Sequence, residues 1–230
     1  MLLEQLRKDV CQANRDLERH RLVLFTWGNV SGVDRAQGLV VIKPSGVPYA
    51  ELTPDNMVVL DLNGGVVEGT LKPSSDAPTH IVLYNEFPEI GGITHTHSPH
   101  ATMFAQACRP IPCLGTTHAD HFRGEIPVTR TLRKPEIEGH YERYTGLVIV
   151  ERFMRLEAGD MPAVLVANHG PFTWGKTPTA AMVNSVVLEE VARMAAGTLQ
   201  LAPNISVLPG MLQDRHFLRK HGPGAYYGQK

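Results

Sequence analysis

The chain has 230 residues, 43% of them hydrophobic and 20% charged, which suffices for one sizeable domain or two small ones. A formal net charge of -1 gives no basic field to attract nucleic acid or anionic membranes, and no apolar run approaches the roughly 20 residues of a membrane span. Three cysteines without a C-x-x-C pair predict a protein without disulfides in a reducing cytoplasm, and the alternative is one Cys108–Cys113 disulfide. Charged residues in the first apolar segment argue against a signal peptide, so a soluble protein is predicted.

The first third of the chain predicts a helix, a strand and a hairpin. Apolar residues recur at steps of three and four from Leu3 to Leu17, which is typical of an amphipathic helix. The apolar run 39–42 predicts a buried strand that ends in a turn at 43–46. The segment 57–67 predicts a hairpin, because two apolar runs flank Asn63-Gly64-Gly65.

A helix, a strand and a second helix are predicted next. Ser74-Ser75-Asp76 before Pro78 predicts a helix start, since Ser or Asp caps a helix and proline fits its first turn. A short strand then ends in His95 and His97. Because alternate side chains of a strand point to the same face, these two imidazoles are predicted to project together. Ser98-Pro99 predicts the start of the following helix.

The second half of the chain is less regular. Residues 109–135 are rich in Pro, Gly, His and Thr and predict mostly loop, whereas 146–150 fits a strand or a helix start equally well. A buried strand is predicted at 163–166, and residues 203–230 read as a polar tail. Thr177-Pro178 predicts the cap of a long helix, whose apolar face is predicted to carry Val183, Val186, Val187, Val191 and Met194. Together these elements predict one α/β domain with a mostly antiparallel or mixed β-sheet flanked by helices.

Three histidines and one aspartate form a candidate metal site. His95 and His97 share a strand face, and His169 follows another strand; neighbouring strands lie about 5 Å apart, so the three imidazoles can converge. Asp76, at a helix start, is a candidate fourth ligand. Such a set suits Zn²⁺, with Mn²⁺ or another divalent ion as alternatives. The competing interpretation is three ordinary polar residues at strand ends, since an H-x-H pair alone is near chance in a chain with 11 histidines.

Three small polar turns are candidates for binding an anion. They are Gly28-Asn29, Lys43 with Ser45-Gly46, and Ser74-Ser75. Free backbone N–H groups, hydroxyls and a lysine make a phosphate cradle. The alternative is that these residues simply form turns and caps.

Acid–base candidates lie in a loop and in the tail. Asp120 stands among histidines and is a candidate general base, or an exposed loop acid. Tyr227, within a Tyr-Tyr pair near the end of the chain, is a candidate proton donor that covers a site, or a packing residue.

Seven motifs occur in the order found in the class II aldolase/adducin family, and the chain resembles that family nearly end to end. H-T-H and H-G are common to the wider family, whereas S-S-D, H-A-D and Y-Y-G-Q resemble its L-ribulose-5-phosphate 4-epimerase branch. The motifs are W-G-N-V-S (27–31), I-K-P-S-G (42–46), K-P-S-S-D-x-P-T-H (72–80), H-T-H (95–97), T-T-H-A-D (116–120), N-H-G-P-F-x-W-G (168–175) and R-K-H-G-x-x-A-Y-Y-G-Q (219–229).

The resemblance implies a single class II aldolase-like domain over residues 1–230, in a homotetramer with active sites between adjacent subunits. It implies bound zinc, with His95, His97 and His169 as ligands and Asp76 as the fourth ligand when substrate is absent. The turns carry over as substrate-binding residues, chiefly for a phosphate: Gly28, Asn29, Lys43, Ser45, Gly46, Ser74 and Ser75.

Asp120 and Tyr227 carry over from the resemblance as an acid/base pair, with Tyr227 reaching in from the neighbouring subunit and His216 as a further contact from that neighbour. The implied reaction interconverts L-ribulose 5-phosphate and D-xylulose 5-phosphate by retro-aldol cleavage of C3–C4, in arabinose or ascorbate utilisation. The aldolase branch carries Glu where Asp76 stands. A class II sugar-phosphate aldolase, such as one acting on L-fuculose 1-phosphate, is the nearest alternative, and a non-catalytic adducin-like interaction domain is a more distant one.

Overall fold

Seven strands form one antiparallel sheet in the computed structural model, which describes residues 1–228. The strands are β1 (Asn29–Asp34), β2 (Leu39–Ile42), β3 (Val58–Asp61), β4 (Val66–Glu68), β5 (Gly92–His95), β6 (Ala163–Leu165) and β7 (Pro171–Gly175). Their order across the sheet is β4-β3-β2-β1-β5-β7-β6, and each neighbouring pair is antiparallel. The predicted α/β class and antiparallel sheet are therefore confirmed.

Helices cover both faces of this sheet. They are α1 (Glu4–Arg19), α2 (Ala77–Glu86), α3 (Pro99–Gln106), α4 (Thr116–Ala119), α5 (Lys134–Glu138), α6 (Tyr141–Phe153), α7 (Pro178–Leu201) and α8 (Gly210–His221), with short 3₁₀ turns at Tyr49–Glu51 and Pro54–Asn56. In the described part of the chain, every helix is too short or too polar to cross a lipid bilayer.

The sheet is buried on both faces because its strands alternate between two cores. Val40 and Ile42 pack into the core that contains α2 and α6, whereas Val41, between them, packs against α1. This is the period of two that an extended chain imposes. All three cysteines, at positions 11, 108 and 113, are unpaired in the structure, so the alternative of a Cys108–Cys113 disulfide is wrong.

Several elements differ from the sequence-based predictions. Residues 146–150, for which the sequence fitted a strand or a helix start equally well, lie inside helix α6. The predicted tail contains α8, which was missed because its apolar residues are few and form no continuous stripe. Strands β1 and β7 were not predicted, since they mix glycine, serine, proline and threonine with apolar residues.

Helix α7 begins as predicted and buries only part of the predicted face. The Thr177 hydroxyl accepts a hydrogen bond from the Ala180 N–H, which confirms the cap. Val183 and Met194 are 44% and 48% exposed, so their place on the predicted apolar face was wrong. Val191 is buried, and Val186 and Val187 are partly buried against the cores, so that part of the prediction is confirmed. Small residues such as Ala181 and Ser185 face the sheet instead, because α7 lies close against β5 and β7.

Four strand ends meet at one edge of the sheet. Asn29, the first residue of β1, pairs with His95, the last residue of β5, and His95 pairs with Phe172 of β7. On the other side of β1, Ser31 pairs with Ile42, so Lys43 emerges at the same edge. The antiparallel register therefore brings together Asn29, Lys43 and His95, three candidate residues from separate motifs.

Candidate metal and anion site

A cleft of about 570 Å³ opens at this edge of the sheet. It is lined by the three histidines, by Asp76, and by all seven residues of the three polar turns. Its lining residues are Thr26, Trp27, Gly28, Asn29, Lys43, Ser45, Gly46, Ser74, Ser75, Asp76, His95, His97, Tyr141, Glu142 and His169. The metal and anion candidates thus share one cavity.

The three histidines are close enough to bind one ion. One ligand nitrogen from each lies within 4.8 Å of the other two, and the Nε2 atoms of His95 and His97 are 3.1 Å apart. Tetrahedral Zn–N bonds of about 2.0–2.1 Å would separate two ligand nitrogens by about 3.3 Å. The donor set therefore fits a divalent cation of the zinc type with only small side-chain adjustments.

Hydrogen bonds orient two of the three imidazoles, and burial favours the neutral form of His169. The Nδ1–H of His95 donates to the Pro171 carbonyl at 2.9 Å, which leaves Nε2 as the free acceptor. Burial, followed by the nearby His95 and His97 rings, lowers the pKa of His169 to about 3. His169 Nδ1 also lies 3.3 Å from the Tyr141 hydroxyl. A metal competes with protons for the same lone pairs, so neutral rings favour metal binding.

The tight turn at Gly170 allows the histidines to approach one another. Val166 N–H donates to the Gly170 carbonyl and His169 N–H to the Val166 carbonyl, which closes the loop between β6 and β7. A Cβ at position 170 would lie 2.8 Å from the Thr96 carbonyl and within 3.7 Å of the His95 and His97 rings. Glycine is therefore required here by close approach.

Asp76 lies in the cleft but outside the group of three histidines. It occupies the N-cap position of α2, yet its side chain makes no capping hydrogen bond. Its Oδ2 accepts instead from the Asn29 side-chain amide at 2.7 Å. Burial alone would raise the pKa of Asp76, but His95, His80 and the Asn29 amide outweigh it and the pKa is lowered. The carboxylate therefore faces the cleft ionised.

Lys43 is a buried cation without an acidic partner. Its side chain is 2% exposed, its Nζ donates to the Pro44 carbonyl at 3.3 Å, and it lies 5.1 Å from the Tyr49 ring centroid. Burial lowers the pKa of Lys43 to about 8. Among residues 1–228 no carboxylate forms an ion pair with it, so an anion in the cleft would complete its environment.

The polar turns are tied to one another by backbone hydrogen bonds. Ser45 N–H donates to the Lys72 carbonyl and Ser74 N–H to the Lys43 carbonyl, both at 2.9 Å. The Asn29 amide reaches the Ser74 hydroxyl at 3.0 Å. Ser74 and Ser75 directly precede α2, where helix N–H groups and the helix dipole favour an anion. The three predicted turns therefore form one rigid polar wall.

Gly28 lets the first turn pass beside the metal candidates. Its φ is +76°, in the left-handed region, and a Cβ there would lie 2.7 Å from the His95 carbonyl. Any other residue would strain this turn and displace the adjacent strand end.

The predicted acid/base residues lie together but outside the cleft. The Asp120 carboxylate receives two hydrogen bonds from the Arg219 guanidinium, at 2.9 and 2.6 Å, and one from His216 Nδ1 at 3.0 Å. The Tyr227 ring lies 4.9 Å from the Arg219 guanidinium carbon, and its side chain is 61% exposed. None of Asp120, His216 and Tyr227 lines the cleft of its own chain.

Four lining residues were missed by sequence reasoning. Trp27 stands in the W-G-N-V-S motif and could have been found from it, and Thr26 directly precedes it. Tyr141 and Glu142 begin α6 and follow no motif, so nothing local marked them. Gln229, the last residue of the seventh motif, lies outside the described residues.

Comparison with known proteins identifies the family. The model of the class II aldolase and adducin N-terminal domain matches residues 8–196. The chain belongs to the class II aldolase and adducin family. The resemblance drawn from the motifs is thereby confirmed over most of the chain.

Relatives within this family are similar over nearly their whole length. The L-ribulose-5-phosphate 4-epimerase UlaF of Salmonella paratyphi A is 53% identical over 228 residues, which cover 99% of this chain and 100% of the relative. A solved L-fuculose 1-phosphate aldolase has a TM-score of 0.78 at 25% identity, covering 92% of this chain and 94% of that one. The L-fuculose-1-phosphate aldolase of Thermus thermophilus shares the fold, with a TM-score of 0.68 at 23% identity and coverage of 89% and 99%.

Proposed function

We propose that this protein interconverts L-ribulose 5-phosphate and D-xylulose 5-phosphate by metal-dependent retro-aldol cleavage and re-addition. One observation carries the proposal: a cleft that contains both a cluster of three histidines and a buried lysine without an acidic partner among residues 1–228. The 53% identity to an L-ribulose-5-phosphate 4-epimerase over nearly the whole chain supports the choice of reaction.

The chemistry of the two sugars requires a broken carbon–carbon bond. They differ only at C4, which is not adjacent to the C2 ketone, so the proton on C4 is not acidic and enolisation cannot invert that carbon. Cleavage of C3–C4 leaves the bond's electron pair on the three-carbon fragment and turns C4 into the aldehyde carbon of glycolaldehyde phosphate. Rotation of this aldehyde and re-addition on its other face gives the epimer.

His95, His97 and His169, with Asp76 as a fourth ligand in the absence of substrate, would hold a divalent cation, which would supply Lewis-acid stabilisation of the negative charge on the three-carbon fragment. We propose Zn²⁺ as that cation. The imidazole donors and the nitrogen spacing support it, and Mn²⁺ or another divalent ion is the alternative.

The phosphate turns retain the aldehyde fragment while it rotates. Lys43 and the hydroxyls of Ser45, Ser74 and Ser75 bind the phosphate, assisted by the N-terminus of α2. Gly28-Asn29 and Gly46 shape the same wall. Lys43 follows the end of β2 and His95 ends β5, and these two strands lie two places apart in the sheet, a separation of about 10 Å. The phosphate is therefore bound away from the reacting bond. Binding energy at the phosphate then holds the intermediate without hindering its rotation.

Asp120 and Tyr227 move the proton of the C4 hydroxyl. One member takes this proton as C3–C4 breaks, and the other returns a proton when the bond forms again. Because both lie outside the cleft of their own chain, they must come from a neighbouring copy, together with His216. We therefore propose a homotetramer whose active sites lie at subunit interfaces.

The protein is proposed to act in the cytoplasm, which the three unpaired cysteines favour. Its place in arabinose or ascorbate utilisation stays a prediction. A non-catalytic adducin-like role is disfavoured by the intact histidine cluster.

The test is an assay of the purified protein with L-ribulose 5-phosphate, before and after chelation and again after Zn²⁺ is restored. The expected result is D-xylulose 5-phosphate, lost on chelation and recovered with metal. Release of dihydroxyacetone as the main product would identify an aldolase instead. Turnover that survives complete metal removal would refute the metal-dependent mechanism.

A further inference from the structure

The patch around Asp120 contains Arg219, the first residue of the seventh motif, to which the preceding sections assign no role. Arg219, on α8, is 99 residues away from Asp120 in the sequence, yet its Nε and Nη2 donate to the two carboxylate oxygens at 2.9 and 2.6 Å. This is the two-pronged geometry that only a guanidinium provides. The contact joins α4 to α8 at a half-buried position.

The same arginine also holds the segment that carries Tyr227. Its guanidinium carbon lies 4.9 Å from the ring centroid of Tyr227. The backbone N–H groups of Tyr226 and Tyr227 both donate to the Arg219 carbonyl, at 3.0 and 3.2 Å. One guanidinium therefore contacts the carboxylate through two hydrogen bonds and also lies over the phenol ring.

We propose that Arg219 is a positioning residue that fixes Asp120 and Tyr227 as one unit, so that both reach the neighbouring cleft together. The inference rests on the proposed function, in which these two residues exchange the C4 hydroxyl proton. Arg219 touches neither the cleft nor the reacting atoms in this arrangement, and it acts through the two residues that it holds.

Neighbouring groups support this role without replacing it. His216 and Lys220 also face Asp120, the latter at 3.7 Å, and Lys220 lies 4.5 Å from the Tyr227 ring centroid. Burial alone would raise the pKa of Asp120, but the hydrogen bonds from Arg219 and His216 outweigh it and lower the pKa. Of these three residues, Arg219 alone makes two short hydrogen bonds to the carboxylate within the described part of the chain.

Arg219→Gln and Arg219→Lys test the proposal, with Arg215→Gln as the matched control. Arg215 lies on the same helix, is exposed, and makes no hydrogen bond or ion pair in the described structure. We expect Arg219→Gln to lower kcat by about a hundredfold at unchanged KM, because misplaced acid/base groups slow the chemical step but leave phosphate binding intact. Arg219→Lys should recover part of this loss, and Arg215→Gln should retain wild-type kcat.

A double variant separates positioning from general destabilisation. In the Asp120→Asn background, Arg219→Gln should lower kcat by less than about twofold, since the carboxylate that it holds is already gone. Independent losses that multiply in the double variant would overturn the proposal. A wild-type kcat in Arg219→Lys would also overturn the proposal, because this variant keeps the charge but loses the two-pronged contact. This result can be measured even if Arg219→Gln folds poorly.

Hydrogen–deuterium exchange of the segment 222–228 tests the positioning without an activity assay. We expect faster exchange in Arg219→Gln and wild-type exchange in Arg215→Gln. If the wild-type protein does not epimerise L-ribulose 5-phosphate, the proposed function fails, but the exchange result still reports whether Arg219 holds the tail. Unchanged exchange in Arg219→Gln would overturn the positioning role itself.

Discussion

The ammonium group of Lys43 lies 5.1 Å from the ring centroid of Tyr49 and, among residues 1–228, has no acidic partner. A buried charge without a counter-ion destabilises a folded protein. Lys43 is therefore expected to lower the stability of the folded protein. Its place in the cleft indicates a role in binding an anion, which would supply the missing counter-charge.

Lys43→Met is expected to stabilise the protein and to abolish its response to phosphate. Removing the buried charge should raise the melting temperature by roughly 2–5 °C in the absence of anions. Inorganic phosphate should raise the melting temperature of the wild type but not of the variant. The phosphate effect should weaken as the pH rises above about 8, because burial lowers the pKa of Lys43 to that value and the neutral amine binds no anion.

Lys72→Met provides the control for this experiment. Lys72 is exposed and adjoins the same turn, so its loss should leave the phosphate response nearly unchanged. A wild-type response to phosphate in Lys43→Met would show that the anion site lies elsewhere.

Asp76→Glu is expected to convert part of the epimerase flux into cleavage. The Asp76 carboxylate is held away from the histidines by the Asn29 amide at 2.7 Å. A longer acid at this position reaches further into the cleft, where it can protonate the three-carbon fragment before re-addition. The measured result should be an increased release of dihydroxyacetone per turnover. Asp76→Asn, which has no acidic proton, should lose turnover without gaining release, and equal release from wild type and Asp76→Glu contradicts the idea.

Tyr141→Phe is expected to weaken metal binding by about tenfold, because its hydroxyl lies 3.3 Å from His169 Nδ1 and orients that ring. The measurement is competition for Zn²⁺ against a chelator of known affinity. Tyr144→Phe is the control on the same helix, since the Tyr144 side chain packs against the core rather than lining the cleft. Equal affinity in both variants would show that the Tyr141 contact does not position the ligand.

Mixed oligomers test which residues come from the same subunit. Asp120 and Tyr227 lie in one patch, so a site that borrows one from a neighbour borrows both. Random mixing of His97→Asn with Tyr227→Phe subunits should restore about a quarter of wild-type sites. In these sites, a subunit with an intact cleft lies next to a subunit with an intact Asp120–Tyr227 patch. Mixing Asp120→Asn with Tyr227→Phe should restore none. Recovery in the second mixture would mean that the two residues come from different subunits.

The sequence predicted which histidines lie together better than it predicted the hydrogen-bond partners around them. The alternation of His95 and His97, and the position of His169 after a second strand, follow from local periodicity, and the antiparallel register then brings them together. Asp76 was predicted to cap α2 from its place before Ala77 and Pro78. Its side chain turned instead to Asn29, 47 residues away, which no local pattern encodes.

Long-range contacts also explain the elements that were missed. The strands at 29–34 and 171–175 contain glycine, serine and proline, and they are strands because buried neighbours pair with them on both sides. Helix α8 is stabilised by its contacts with α4, including the Arg219–Asp120 pair, rather than by an apolar stripe of its own.

Nuclear magnetic resonance of L-ribulose 5-phosphate with the metal-loaded protein in D₂O tests the proposed retro-aldol mechanism most directly. Retro-aldol epimerisation keeps the hydrogen on C4, because that hydrogen stays on the aldehyde carbon while C3–C4 breaks and re-forms. The expected product is D-xylulose 5-phosphate with protium retained at C4, formed only when metal is present. Deuterium at C4, or no D-xylulose 5-phosphate from the metal-loaded protein, would contradict it.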